Sequence, residues 1–364
     1  MIQDSIVIIF GVLLSLVALG VAVLKNAGQS SFLYINARII SRSTLIVGLE
    51  KMKKLVHTRN LRELINGLKD SEYYHDLDAI NKDDIDEFNA ALERSTIKSI
   101  NELEKISPSK FRPIFHVYEV YYEAKIIKAF FRARFAGIVI DRKIVEPIGT
   151  IDHMLLEHLH ETKSVADMGV VLKKTEYGDF FSKDYVSVEE FDIALEKKMH
   201  EQIHKTITKL SVYDKEAIME IFRIRRYVRE ILTLLKLRIR NADKKMQEHV
   251  VSSFEITSIV NIEKILATKD LKSFVDCFNN TEYYDALKIA LDKFNKEGNY
   301  LFFERELYSY YHEKIVENEL KYNIGPYRVI SYIHRKRIEQ KNLLILAKGI
   351  MAEMDKKMIE EMLI

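Results

Sequence analysis

The chain is short of the residues that make turns. It carries 12 glycines and 4 prolines in 364 residues, about a third of the ~12% that the two usually supply. That scarcity excludes collagen-like and Gly-rich architectures and argues against a sandwich or barrel, which needs many tight turns. A single cysteine, Cys277, leaves no internal disulfide and no cysteine-built zinc site. No G-x-G or G-x-x-x-x-G-K-[ST] run offers a phosphate cradle, and no G-x-S-x-G surrounds a serine. Charge of one sign is also missing. Against 56 basic residues stand 54 acidic ones, for a net charge of +2. Sequence-independent binding to nucleic acid therefore has no electrostatic basis. What is present is 48% hydrophobic and 30% charged, the make-up of long helices joined by short polar loops, and an all-α fold is expected.

One long apolar run stands apart. Ile6–Leu24 is uncharged over 19 residues, and at ~1.5 Å per residue it spans a bilayer core. Asp4 precedes it where a signal peptide would carry basic residues, so an N-terminal transmembrane helix is expected rather than a cleaved signal. Lys25, Arg38 and Arg42 follow the run and no basic residue precedes it. The positive-inside rule then puts the remaining chain on the cytoplasmic side of the cell membrane. The lack of paired cysteines agrees with that compartment.

The rest is built on an internal repeat. Thr58-Arg59-Asn60-Leu61 recurs as Thr162-Lys163-Ser164-Val165 and as Thr268-Lys269-Asp270-Leu271. Ten residues after the aliphatic position come Ser71-Glu72-Tyr73, Thr175-Glu176-Tyr177 and Thr281-Glu282-Tyr283. Asn60, Ser164 and Asp270 suit helix N-caps, and in the first copy the spacing predicts a helix over Leu61–Asp70. Ser71, Thr175 and Thr281 suit a second cap or turn. Further on, Phe88 and Leu92, Phe191 and Leu195, and Phe303 and Leu307 keep an i,i+4 spacing that places each pair on one helix face. Copy three reaches its pair after a longer insertion around Asn295–Asn299. The pattern divides the chain into an anchor at 1–27 and helical repeats at 28–145, 146–244 and 245–364.

Each repeat ends in a basic helix. In register, Lys125, Arg229 and Lys341 correspond, and so do Arg132, Lys236 and Lys348 seven residues later, on the same face. In copy two Ile224, Val228, Ile231, Leu235 and Ile239 form the opposing apolar stripe, which reads as core packing. The basic stripes read either as solvated faces or, if they converge about a pseudo-three-fold axis, as a docking surface for an acidic partner or an anionic membrane face. Two Glu-x-x-His pairs, Glu157/His160 and Glu201/His204, match the di-iron pattern of helical bundles. Their neighbours Lys197, Lys198, Lys205 and Lys209 look solvated and the other repeats lack these histidines. Ordinary surface neighbours are the expected reading, with no metal and no cofactor. Cys277 reads as a small core residue. The cluster Tyr308, Tyr310, Tyr311 reads as helix contact rather than a base-stacking surface.

The opening Tyr34-Ile35-Asn36-Ala37-Arg38-Ile39, the three T-x-x-[LV]…[ST]-E-Y units, and the closing Gly325-Pro326…Tyr332…Lys336…Ile338-Glu339…Asn342-Leu343 helix together resemble the C subunit of archaeal A-type (A/V-type) ATP synthases, the relative of the d subunit of the V-type ATPase. The resemblance covers residues 30–364 and does not account for Ile6–Leu24. It implies three similar helical domains arranged as a pseudo-three-fold funnel on the membrane rotor ring. It also implies a socket for the central shaft, torque transmission between ion translocation and ATP synthesis or hydrolysis, and no catalytic site or small-molecule substrate. The six basic residues are then candidates for contact with the shaft. A membrane-tethered helical adaptor and, further off, a di-metal enzyme on Glu157, His160, Glu201 and His204 are the alternative readings.

Overall fold

A computed structural model describes residues 33–364 apart from 82, 142–144, 183–184, 186, 211–214, 240–243, 253 and 323–324. The described residues form helices and turns, with one isolated antiparallel bridge between Ile148 and Ile151. The expected all-α class is what the scarcity of turn-formers produces. No helix among the described residues is long and apolar enough to cross a membrane. The run Ile6–Leu24, which carries the expected anchor, lies outside the described residues.

The first repeat holds a helix over 33–43, α1, then α2 Leu49–Leu55, α3 Leu61–Asn66, α4 Tyr74–Asp78, α5 Ile85–Ile106 and α6 Arg112–Phe135. The second comprises α7 His153–Glu161, α8 Val165–Leu172, α9 Val188–Thr208 and α10 Lys215–Ile239. After α11 Lys244–Val251, the third comprises α12 Ile262–Ala267, α13 Leu271–Asp276, α14 Tyr284–Glu297, α15 Leu301–Lys321 and α16 Pro326–Met351, and α17 Lys356–Met362 closes the chain.

The same local chemistry punctuates each copy. Thr58, Thr162 and Thr268 donate their hydroxyls back to the carbonyls of Leu55, Leu159 and Ile265, ending one helix. Asn60, Ser164 and Asp270 then accept the free amides of Glu63, Asp167 and Ser273, starting the next. The first of these helices is shorter than the spacing predicts. It stops at Asn66 rather than Asp70, and the chain turns through Leu68, whose side chain is fully buried. The Ser71, Thr175 and Thr281 hydroxyls donate to the carbonyls of Leu68, Leu172 and Phe278, fixing the turn before each tyrosine. In copy three the insertion is an elongated α14, stopped by Gly298 in the left-handed region at φ 70°. Phe88, Leu92, Phe191, Leu195, Phe303 and Leu307 are all buried. So are Ile224, Val228, Ile231 and Leu235, whereas Ile239 at the end of α10 is exposed.

The last long helix of each repeat does not pack chiefly within its own repeat. α6 lies along α9, α10 along α15, and α16 along α5. Each of α6, α10 and α16 thus pairs with a helix of the following repeat, α16 returning to the first. A separate core joins Leu61, Leu64, Phe88 and Leu92 of the first repeat to Leu343, Leu346 and Ala347 of α16.

Candidate functional site

The tyrosines of the three [ST]-E-Y turns, Tyr73, Tyr177 and Tyr283, are almost wholly buried. Each reaches the long helix of the repeat before it. The Tyr177 hydroxyl donates to Glu123 of α6 at 2.9 Å, and the Tyr73 hydroxyl donates to Glu339 of α16 at 2.8 Å. Glu123 and Glu339 occupy equivalent positions, two residues before Lys125 and Lys341. Each carboxylate also binds the loop that enters the next repeat. Glu123 accepts from the Thr150 amide and hydroxyl, and Glu339 accepts from the Val47 amide. Gly149, at φ 59°, lets that loop approach, because a Cβ there would overlap the Glu123 carboxylate. In copy two the equivalent position is Tyr227, which meets Tyr283 edge to face at 6.2 Å. There the carboxylate has moved along the helix to Glu230, which accepts from the amides of Glu255 and Ile256 at 3.1 and 2.8 Å.

Burial lifts Glu339 to about 7, against the pull of Lys336, the Val47 amide and the Tyr73 hydroxyl. Folded, the group holds a proton that the unfolded chain releases near the ordinary carboxyl value. Its contribution is therefore full below about 4.5 and is lost as pH rises through about 7. Wild type should lose roughly 3 kcal/mol of unfolding free energy relative to Glu339→Gln between acid and pH 8. Urea titrations of both proteins across that range would check it, and a constant difference would refute it.

The same three long helices bring their basic residues to one cavity of about 260 Å³. Tyr121 and Lys125 of α6, Arg225 and Arg229 of α10, and Arg337 and Lys341 of α16 line it. These are one pair of positions, four residues apart, taken from each repeat. The outer member of each pair has a carboxylate. Lys125 donates to Glu93 of α5, Arg229 to Glu196 of α9, and Lys341 to Glu304 of α15. Lys341 also lies 3.5 Å from the centre of the Tyr308 ring. The inner arginines differ. Arg225 and Arg337 lie 4.0 and 4.1 Å from the centre of Tyr121, and neither forms an ion pair among the described residues. Burial alone would raise the Tyr121 phenol, but Arg337, Arg225, Arg229 and Lys125 outweigh it and bring the group down to about 6. Burial pulls the Arg225 guanidinium below its ordinary value, and Arg337 nearby adds to the effect.

A family model described as the ATP synthase (C/AC39) subunit matches residues 35–362. The chain belongs to the ATP synthase C/AC39 subunit family. Among similar proteins is the C subunit of the A-type ATP synthase of Methanocaldococcus jannaschii, 24% identical over 92% of this chain and 86% of the relative. The same subunit of the A-type ATP synthase of Thermococcus onnurineus is 22% identical over 90% and 89%, and that of Methanococcoides burtonii 21% over 94% and 96%. As a member of the C/AC39 family, the chain is a non-catalytic component of the A/V-type ATP synthase.

The remaining candidates of this C/AC39 protein are scattered. Arg132, Lys236 and Lys348 do not line the cavity. Arg132 pairs with Asp192 of α9, while Lys236 and Lys348 are exposed. Glu157, Glu201 and His204 are exposed, and His160 packs edge-on against Phe130 at 4.9 Å. No group of three or more His, Cys, Asp or Glu side chains is gathered for a metal among the described residues. Cys277 is half-buried, its thiol directed at the Ser273 carbonyl. Tyr311 is buried on the cavity wall and Tyr310 packs on Tyr283. Arg225 and Arg337 escaped the sequence reading. Their signal was available, since they stand at the same offset before Arg229 and Lys341 that Tyr121 keeps before Lys125.

Proposed function

We propose that this chain is the central-stalk connector of a rotary A/V-type ATP synthase. It seats the central shaft on the membrane rotor ring and transmits torque between ion translocation and ATP synthesis or hydrolysis. The repeats at 28–145, 146–244 and 245–364 act as three similar domains of a pseudo-three-fold funnel. The segment 1–27 anchors the body at the cytoplasmic face of the cell membrane. The observation that carries this reading is the meeting of equivalent positions from three repeats at one cavity. A body that grips a coaxial shaft needs such internal symmetry. Family membership supplies the complex in which the grip would act.

Lys125, Arg132, Arg229 and Lys341 already hold carboxylates of neighbouring helices. Reversing them would break the chain's own pairs as well as any contact with a shaft. Lys236 and Lys348 are the cleaner probes, and Lys236→Glu with Lys348→Glu should weaken shaft binding about tenfold at low salt. The decisive experiment is gentle detergent extraction of native membranes, capture of this chain, and mass spectrometry of what accompanies it. Rotor-ring and central-shaft components with about one copy of this chain per complex are expected. Recovery of the chain alone, or with unrelated proteins, would sink the reading.

A further inference from the structure

We propose that the cavity between α6, α10 and α16 is a binding site for a small, multiply charged oxyanion of the phosphate class, free in solution rather than carried on a macromolecule. The cavity is the one on which the rotary reading rests, but anion binding is read on the isolated chain and holds or fails without the shaft.

The argument begins with charge. Five cationic side chains, Lys125, Arg225, Arg229, Arg337 and Lys341, line the cavity, against a single carboxylate, Glu93. Glu196 and Glu304 serve Arg229 and Lys341 from outside the lining. Three carboxylates answer five cations, and Arg225 and Arg337 share only the Tyr121 phenol between them, so the cavity keeps a net positive charge. On a chain whose net charge is only +2, that excess is local.

Burial sharpens the point. Arg225 is 8% exposed, and a buried guanidinium whose donors meet no acceptor is costly to maintain. The nearest groups are aromatic rings, Tyr121 for both arginines and Tyr122 for Arg337. Ring faces attract cations but accept no hydrogen bond from a planar fork. His334, 6% exposed, adds an Nε2 with no partner to the same wall. Each guanidinium offers five donors in fixed geometry, which suits the paired oxygens of a phosphate-class anion.

Size narrows the ligand. Drug-sized molecules occupy cavities of ~300–1,000 Å³, and this one holds about 260 Å³. Orthophosphate and diphosphate fit that scale. Access is from the Lys125 side, where that side chain remains 49% exposed.

The test titrates inorganic phosphate, then diphosphate, into the purified full-length chain in detergent, read by calorimetry at fixed ionic strength with chloride as the reference anion. Wild type should bind one anion per chain with sub-millimolar affinity, diphosphate more tightly than phosphate. Arg225→Gln and Arg337→Gln should each weaken binding about tenfold or more. Arg225 is buried and its loss can compromise folding, so Lys125→Gln at the open side is measured as well, with a several-fold loss expected. Lys357→Gln removes the same charge from an exposed position on α17 and should leave affinity unchanged. No saturable heat with wild type would overturn the proposal. So would equal affinities for the arginine variants and Lys357→Gln, which would indicate only diffuse attraction.

Discussion

Replacing Phe191 with alanine is expected to lower the unfolding free energy of the chain by about 3–5 kcal/mol, the usual cost of truncating a fully enclosed aromatic side chain. Phe191 has no exposed surface. Its ring stacks on Phe131 of α6 at 3.5 Å and 6°. Phe180 and Tyr185 meet it edge-on at 5.2 and 5.1 Å, and Phe181 lies 5.8 Å away. The helices α6 and α9 that share this cluster are the pair that ties the first repeat to the second. Their neighbours are rings held on two different helices and a turn, so the void has few routes to collapse. Urea denaturation of the full chain in detergent, followed by circular dichroism, gives the number. Phe191→Leu should recover about half of the loss, and a penalty under ~1 kcal/mol for the alanine variant would show that the cluster is not what holds the two helices together.

Glu123→Ala should destabilise the chain by roughly 2–4 kcal/mol for a different reason. The carboxylate accepts three donors: the Thr150 amide, the Thr150 hydroxyl and the Tyr177 hydroxyl. Tyr177 is 1% exposed, so its hydroxyl finds no water in exchange. An orphaned buried donor costs ~1–3 kcal/mol, while the two donors of Thr150, an exposed residue, are partly able to turn to water. Part of this is returned, because burial already penalises the charged form and pushes the Glu123 carboxyl upward. Glu123→Gln keeps an acceptor oxygen and should lose about 1 kcal/mol. Equal losses for alanine and glutamine would assign the effect to charge rather than to the three donors. Double replacement with Tyr177→Phe should be less than additive, since both changes remove one shared bond.

What the sequence made legible was what is local. A cap needs only its own side chain and an amide three residues on, so Asn60, Ser164 and Asp270 could be read directly. Burial of the Phe–Leu pairs followed from i,i+4 spacing, whereas the common register of Lys125, Arg229 and Lys341 left solvated faces and a shared surface both open. The hidden part was which repeat each long helix serves. A period near 105 residues is the same whether α6 packs on α5 or on α9, so periodicity carries no information about the choice. The roles of Glu123 and Glu339 were hidden with it, because a carboxylate two residues from a lysine looks solvated until a loop from another repeat covers it. The irregular copy shows the same limit. Tyr227 breaks the motif, and only the fold reveals that Glu230 takes over the amides of the entering loop.

The return of α16 onto α5 has a consequence for the order in which the molecule can be made. The Thr96 hydroxyl of α5 meets Gln340 of α16 across 244 residues of chain, and Tyr73 has its carboxylate on that same late helix. At ~5–20 residues per second, translation needs on the order of tens of seconds to cover that gap. During it the earliest repeat stands with its inner face uncovered. The repeat synthesised first is the one completed last, and a chain interrupted before α16 leaves that face open for a neighbouring nascent chain or a chaperone to occupy.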